Sequence, residues 1–166
     1  PEKRVEHLED KNTNEAPYRK WADRGLLTIC PGNRVNYSDV TAWFCQMRDE
    51  WKIDAIKVGY DRALAGYWVD EMTSNGFDME AVAQGPYTWS QPMREMGAAL
   101  EAKQVNYNAN PILVWCLTNT AVKKSGLNNI QPVKITDKRR IDGAVSLLNA
   151  WVMYVKYFED FMYSVG

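Results

Sequence analysis

Asp61 and Asp142 are the residues whose positions best suit metal-dependent chemistry. Asp61 directly follows the apolar segment IKVGY, which we predict to be a strand. Sites in open α/β sheets gather at the carboxyl ends of strands. Asp142 stands in the first turn of a long apolar helix predicted from Ile141 onward. Carboxylate oxygens suit hard divalent cations, so the two acids are candidate metal ligands.

Each aspartate also has a purely structural interpretation. Asp61 can cap a helix that begins at Arg62, and the helix dipole favours an acid at position 142 by about 0.3–1 kcal/mol. Two observations favour the metal-ligand interpretation of Asp142. Ser146 and Asn149 follow it at helical spacing and give a polar stripe on an apolar helix. Gly143 costs up to about 1 kcal/mol of helix propensity, as expected where something approaches closely. Local sequence leaves both interpretations open.

A basic segment precedes Asp142. Between positions 123 and 140 there are six basic residues and one acid, Asp137, whereas the whole chain has a net charge of −1. The basic residues are Lys123, Lys124, Lys134, Lys138, Arg139 and Arg140. Such a run is usually a solvated face. Here it adjoins a candidate metal carboxylate, and a phosphodiester-cleaving site needs both features, because basic side chains hold the phosphates.

Several kinds of site are excluded by what the sequence lacks. A Ser-His-Asp arrangement would have to use the single histidine, His7, which lies in the polar leader, and a His-ligated zinc site lacks ligands. Cys30, Cys45 and Cys116 are widely spaced in apolar segments and are typical of buried reduced thiols. No Walker A sequence occurs. No apolar run reaches the roughly 20 residues of a membrane span.

Helical and strand patterns alternate along the chain. Residues 1–16 are predicted as a polar leader and residues 17–166 as one domain. The predicted strands are Leu26–Cys30, IDAIKVGY, DMEAVAQG and Val105–Tyr107, with an irregular edge segment at NNIQPVKIT. This alternation predicts α/β architecture with a partly parallel sheet. Trp89 and Tyr87 are predicted to pack in the core, with stacking on a ligand as the alternative.

With these landmarks in order, the sequence resembles the C-terminal part of bacteriophage terminase large subunits. The resemblance runs from about Tyr18 to about Trp151 and is carried by five segments in a fixed order. They are YRKWADRGLLTICPGNRVNYSDV, IKVGYDRA, AVAQGPYTWSQPMREM, NANPILVWCLTN and KRRIDGAVSLLNA. The resemblance implies a ribonuclease H-like α/β fold, with a central mixed sheet flanked by helices.

The resemblance also implies a function. Members are endonucleases that cut viral DNA during packaging, using two divalent cations, Mg²⁺ or Mn²⁺, held by three acids. Asp61 matches the second acid and Asp142 the third. Lys134, Lys138, Arg139 and Arg140 would contact double-stranded DNA. The implied partners are the small terminase subunit and the portal protein, in the cytoplasm of the infected bacterium and without a membrane.

One departure concerns the first acid of the family, which lies on an opening strand. Only residues 1–17 precede the first matching segment, and they contain no apolar strand ending in Asp. We therefore expect a domain truncated at its N-terminal strands, lacking the ATPase domain and one ligand, with Asp137 as a candidate auxiliary acid. The alternative function is a catalytically incomplete fragment or prophage remnant that binds DNA weakly without cleaving it. A resolvase- or integrase-like nuclease is disfavoured by the ordered segments.

Overall fold

The chain forms two compact units, Pro1–Ile53 and Asp54–Gly166, in a computed structural model that describes residues 1–10, 16–64, 66–126 and 128–165. Helices and short strands alternate in the second unit, and the predicted α/β class is confirmed. None of the described helices is both long and apolar enough to cross a membrane.

The first unit is helical. Its elements are α1 (Glu2–Asp10), α2 (Tyr18–Asp23) and α3 (Tyr37–Asp49). The predicted polar leader therefore contains a helix, and Val5 on that helix is buried; residues 11–15 lie outside the described residues. The predicted strand Leu26–Cys30 does not form. The carbonyl of Cys30 instead accepts a hydrogen bond of 2.8 Å from the backbone N–H of Glu2 at the start of α1.

The second unit holds all four described strands, in two separate two-stranded sheets. Its elements are β1 (Val58–Asp61), α4 (Gly66–Ser74), β2 (Met79–Val82), α5 (Pro86–Glu101), α6 (Pro111–Thr118), β3 (Thr120–Ser125), β4 (Asn129–Lys134), α7 (Asp142–Lys156) and α8 (Phe158–Val165). β1 and β2 are parallel, with Asp61 opposite Val82. β3 and β4 are antiparallel, with Thr120 opposite Lys134. The partly parallel pairing was predictable, whereas the hairpin was not.

The errors in the strand predictions have local causes. No strand forms at Val105–Tyr107, because Lys103 and Asn108 on either side have φ values of 57° and 50°, which turn the chain. The segment NNIQPVKIT contains a regular strand, β4, despite Pro132. A two-stranded sheet has only edge strands, where proline is tolerated.

The helix α5 begins at Pro86, and Pro92 lies in its interior. This start places Trp89 in the core, where it is 8% exposed, while Tyr87 is 89% exposed. The prediction of core packing is right for the tryptophan and wrong for the tyrosine.

The long helix α7 is held by the core and by the first sheet. Leu148, which is 1% exposed, packs in one apolar cluster with Trp89 and Met96 of α5. On the strand side, a Cβ added at Gly59 would lie 2.9 Å from Cγ of Met153 and 3.0 Å from the carbonyl oxygen of Asn149. Only glycine lets α7 approach β1 this closely, so Gly59 fixes where the helix lies over the strand.

Candidate metal and nucleic-acid site

Asp61 is the last residue of β1 and is half-buried. Its Oδ1 accepts a hydrogen bond of 2.9 Å from the backbone N–H of Ala63, in the 3-10 turn Arg62–Leu64 that follows the strand. The capping interpretation from sequence is therefore part of its role. The bond uses one carboxylate oxygen. Among the described residues, Oδ2 has no hydrogen-bond or ion-pair partner, so it is available to a ligand.

Asp142 is the first residue of α7 and is exposed. The N-cap position belongs to Ile141, and no side chain caps the helix start by a hydrogen bond. Within the described part of the chain, no hydrogen bond or ion pair engages the Asp142 carboxylate. The helix dipole still favours the acid, but both of its oxygens remain free.

β1 and α7 run in opposite directions, and this brings the two acids to one end of the pair. Lys57, just before β1, lies with its Nζ 5.0 Å from the ring centroid of Tyr157, just after α7. Further along the strand, Gly59 contacts Asn149. From this contact, Asp61 lies two residues, or about 7 Å, along the strand. Asp142 lies seven residues, or about 10 Å, along the helix in the same sense. Both acids therefore lie towards the carboxyl end of the strands.

A buried amide, Asn149, lies at the β1–α7 contact itself. Asn149 is 7% exposed, and its Oδ1 accepts a hydrogen bond of 3.4 Å from Nε2 of Gln84. Ser146, the next member of the polar stripe, is exposed. Asn149 and Ser146 were predicted as part of the polar stripe, whereas Gln84 was not predicted. The sequence signal for Gln84 is the same as that for Asp61, a polar residue just after an apolar strand.

The close approach predicted at Gly143 is made by another helix. A Cβ at Gly143 would lie 3.0 Å from Sγ of Cys116 in α6. The buried side chain of Cys116 therefore packs directly against the first turn of α7. Burial raises the pKa of the Cys116 thiol, and the negative charge of the nearby Asp142 carboxylate raises it as well. Cys30 and Cys116 are free and buried, as predicted, whereas Cys45 is half-buried.

The basic residues fall into two groups. Lys134, at the end of β4, pairs with Thr120, while Lys124 lies opposite Ile130 about four residues, or 14 Å, along the hairpin. Lys123 lies beside Lys124 on β3. The second group consists of Lys134 and three residues in the segment that joins β4 to α7. Of these three, Lys138 is exposed, and Arg139 and Arg140 are half-buried. This second group leads directly into Asp142.

The donor set at this end of the β1–α7 pair is made of oxygens. Asp61 and Asp142 offer free carboxylate oxygens, which fit Mg²⁺ or Mn²⁺, since these cations keep several waters and need few protein ligands. Across the described residues, no group of three or more His, Cys, Asp or Glu side chains is placed to hold a metal ion. Asp137 is exposed in the segment before α7, and its role as an auxiliary acid stays a prediction.

Comparisons with known proteins agree on one family. A family model described as terminase large subunit, endonuclease domain, matches residues 1–157. Protein YmfN of Escherichia coli (strain K12) is 30% identical over 149 residues, covering 88% of this chain and 32% of YmfN. The terminase large subunit of Enterobacteria phage HK97 is 28% identical over 154 residues, covering 89% of this chain and 29% of the relative.

The same fold occurs in a solved structure. The crystal structure of the HK97 bacteriophage large terminase matches with a TM-score of 0.78 at 24% identity, covering 89% of this chain and 31% of that one. This match supports the fold. The chain spans about a third of the length of these relatives.

Proposed function

Because the chain belongs to the family of terminase large subunit endonuclease domains, we propose that it cuts viral DNA during genome packaging by metal-dependent phosphodiester hydrolysis. The observation that carries the proposal is the antiparallel contact of β1 and α7. It brings Asp61 and Asp142, each with free carboxylate oxygens, to the same end of the strand and helix. The family match supports the activity, and this geometry supports these two residues as the ligands.

Asp61 and Asp142 are the residues that would hold Mg²⁺ or Mn²⁺. When bound, a pair of such cations supplies charge that offsets the charge developing on the attacking and leaving oxygens of the phosphodiester. The capping bond from Ala63 fixes the rotamer of Asp61 through one oxygen and leaves the other for the site. Asp142 is carried by the rigid start of α7, so both ligands project from regular elements.

The basic group before α7 would hold the DNA backbone. Lys134, Lys138, Arg139 and Arg140 lie on the stretch of chain that ends at Asp142. Phosphate contacts position the duplex without reading its sequence. We therefore infer a low sequence preference for the domain itself, with the choice of cut site made by other components.

The remaining parts of the proposal concern the complete protein. The chain spans about a third of the length of its relatives. The proposed partners are therefore partners of a whole terminase: double-stranded DNA, the small terminase subunit and the portal protein. The place of action is the cytoplasm of the infected bacterium. These assignments rest on the family, and binding studies with each purified partner would test them.

Incubation of the 166-residue chain with supercoiled plasmid and Mn²⁺ tests the proposed activity. We expect nicked and linear products from the wild type and none from Asp61→Asn or Asp142→Asn, because an amide cannot replace the charge of a ligating carboxylate. The matched control is Asp54→Asn, an exposed aspartate in the loop before β1, which should cleave as the wild type does.

Two other results would decide against cleavage by these residues. Wild-type protein that neither cuts DNA nor binds Mn²⁺ in calorimetry would support the catalytically incomplete alternative. Undiminished cleavage by both variants at positions 61 and 142 would move the active site elsewhere. Asp137→Asn, assayed in the same way, shows whether the auxiliary acid contributes.

A further inference from the structure

The start of α7 is anchored on the last turn of α6. Cys116, which is 3% exposed, packs its side chain against the backbone of Gly143 in the first turn of α7. The contact is close, because a Cβ at Gly143 would lie 3.0 Å from Sγ and 3.3 Å from Cβ of Cys116. The buried Cys116 side chain therefore fixes how near the first turn of α7 comes to α6.

A second anchor lies on the other side of Asp142. Asn119, which is 5% exposed, donates a hydrogen bond of 3.1 Å from Nδ2 to the carbonyl oxygen of Arg140. The backbone N–H of Asn119 is in turn bonded to the carbonyl of Cys116. The two anchors therefore belong to one turn of chain. Together they hold the backbone at residue 140 and at residue 143.

The residue between these anchors is left free. Asp142 follows the N-cap position, which Ile141 occupies. Its carboxylate is exposed and has no hydrogen bond among the described residues. The backbone of Asp142 is thus fixed on both sides while its oxygens stay available.

We propose that Cys116 and Asn119 are positioning residues of the candidate metal site, which hold the backbone on both sides of Asp142 and so fix where its carboxylate stands. This inference rests on the proposed function, since it assumes that Asp142 binds a divalent cation. Residues that orient a metal ligand typically change metal affinity by 10- to 100-fold when they are replaced. Cys116 is far too buried to ligate the metal itself.

Titration of the 166-residue chain with Mn²⁺ alone, by isothermal calorimetry, tests the role of the sulfur. In Cys116→Ala the first turn of α7 loses the side chain that it packs against, and we expect Mn²⁺ affinity to fall on the order of 10-fold. Cys116→Ser is nearly the same size as the cysteine and should regain most of the affinity. Because its hydroxyl is buried, we expect Cys116→Ser to be no more stable than Cys116→Ala. A higher Mn²⁺ affinity of the serine variant would therefore not result from higher stability.

The close packing gives a second, independent variant. Gly143→Ala places a methyl group against the sulfur and pushes the start of α7 away from α6, and we again expect a loss on the order of 10-fold. Gly97→Ala is the matched control, because Gly97 also lies in a helix but has nothing within 4 Å of an added Cβ. It should leave the Mn²⁺ affinity unchanged.

Asp142→Ala separates the two proposals. If it binds Mn²⁺ as tightly as the wild type, or if the wild type binds none, the proposed function fails and the positioning role fails with it. If Asp142→Ala loses Mn²⁺ while folded Cys116→Ala and Gly143→Ala bind it normally, only the positioning role is overturned. Circular dichroism of each variant, matched to the wild type, confirms that a lost affinity is not lost folding.

Discussion

The α-carbon of Gly59 in β1 lies against the backbone of Asn149 in α7, so closely that an added Cβ would stand 3.0 Å from the Asn149 carbonyl oxygen. This contact sets the height of the helix over the strand. Asp61 lies two residues beyond it on the strand and Asp142 lies seven residues before it on the helix. The relative placement of the two candidate ligands therefore depends on a residue that carries no functional group.

Replacing Gly59 by alanine should destabilise the domain. The methyl group would meet Met153 and Val82 at 2.9 and 3.1 Å, in addition to the Asn149 carbonyl. Overpacking of this kind costs about 1–3 kcal/mol, measured as the change in free energy of unfolding in urea. Gly97→Ala should instead be neutral or stabilising, by up to about 1 kcal/mol, since its methyl meets nothing and alanine favours the helix. Equal stability of both variants would contradict the close packing.

The sequence was most informative where the signal is local. An apolar segment ended by Asp61, and a long apolar run behind Asp142, were enough to predict β1 and α7 and the acids at their ends. The contact between those elements was not predictable, because it depends on Gly59 meeting Asn149 from a distant part of the chain. At Gly143 the poor helix propensity correctly indicated a close neighbour. Nothing in the sequence identified that neighbour as Cys116.

The second pair of strands shows where the sequence was less informative. The β3–β4 hairpin was missed because the apolar pattern of α6 continues through Ala121 and Val122, and helix and strand cannot be told apart in such a run. Pro132 also argued against a regular strand. Within the described residues β3 pairs with β4 alone, in a two-stranded sheet where each strand is an edge and a proline is tolerated.

Glu80 gives the first sheet a pH-dependent contact with the end of α7. Its carboxylate accepts hydrogen bonds from Lys156 and Tyr157, and these, the lysine first, hold the pKa of Glu80 below its usual range. The contribution to stability is therefore complete above the ordinary glutamate pKa of about 4.3. It is lost as the pH falls through the lower value of the folded state, because the unfolded chain binds the proton first.

Glu80→Gln should remove this dependence. We expect the variant to be less stable than the wild type at pH 6, with the difference shrinking as the pH falls towards 3. Urea unfolding at a series of pH values measures it. Glu101→Gln, at an exposed glutamate at the end of α5, is the control. A difference between wild type and Glu80→Gln that grows on acidification would contradict the ion pair.

The basic group before α7 predicts a salt-dependent, sequence-independent affinity for DNA. Each phosphate contact contributes about 0.9 to the slope of log K against log salt for duplex DNA. Lys138→Ala should lower the slope by about that amount and weaken binding equally for unrelated sequences. Fluorescence anisotropy with two labelled duplexes at several salt concentrations gives the slope.

A matched lysine outside that group provides the comparison. Lys103 is exposed just after α5, and Lys103→Ala should leave the slope unchanged. A loss confined to one of the two duplexes would indicate base reading by Lys138, and equal effects of both variants would show that the segment before α7 has no special part in binding.

The central claim is that Asp61 and Asp142 serve one metal site, and anomalous diffraction from crystals soaked in Mn²⁺ tests it most directly. The account predicts Mn²⁺ peaks at the carboxyl end of β1, within bonding distance, about 2.2 Å, of both carboxylates or of a bridged pair of ions. Carboxylates farther apart than roughly 8 Å, or Mn²⁺ bound to one of them without the other, would contradict it.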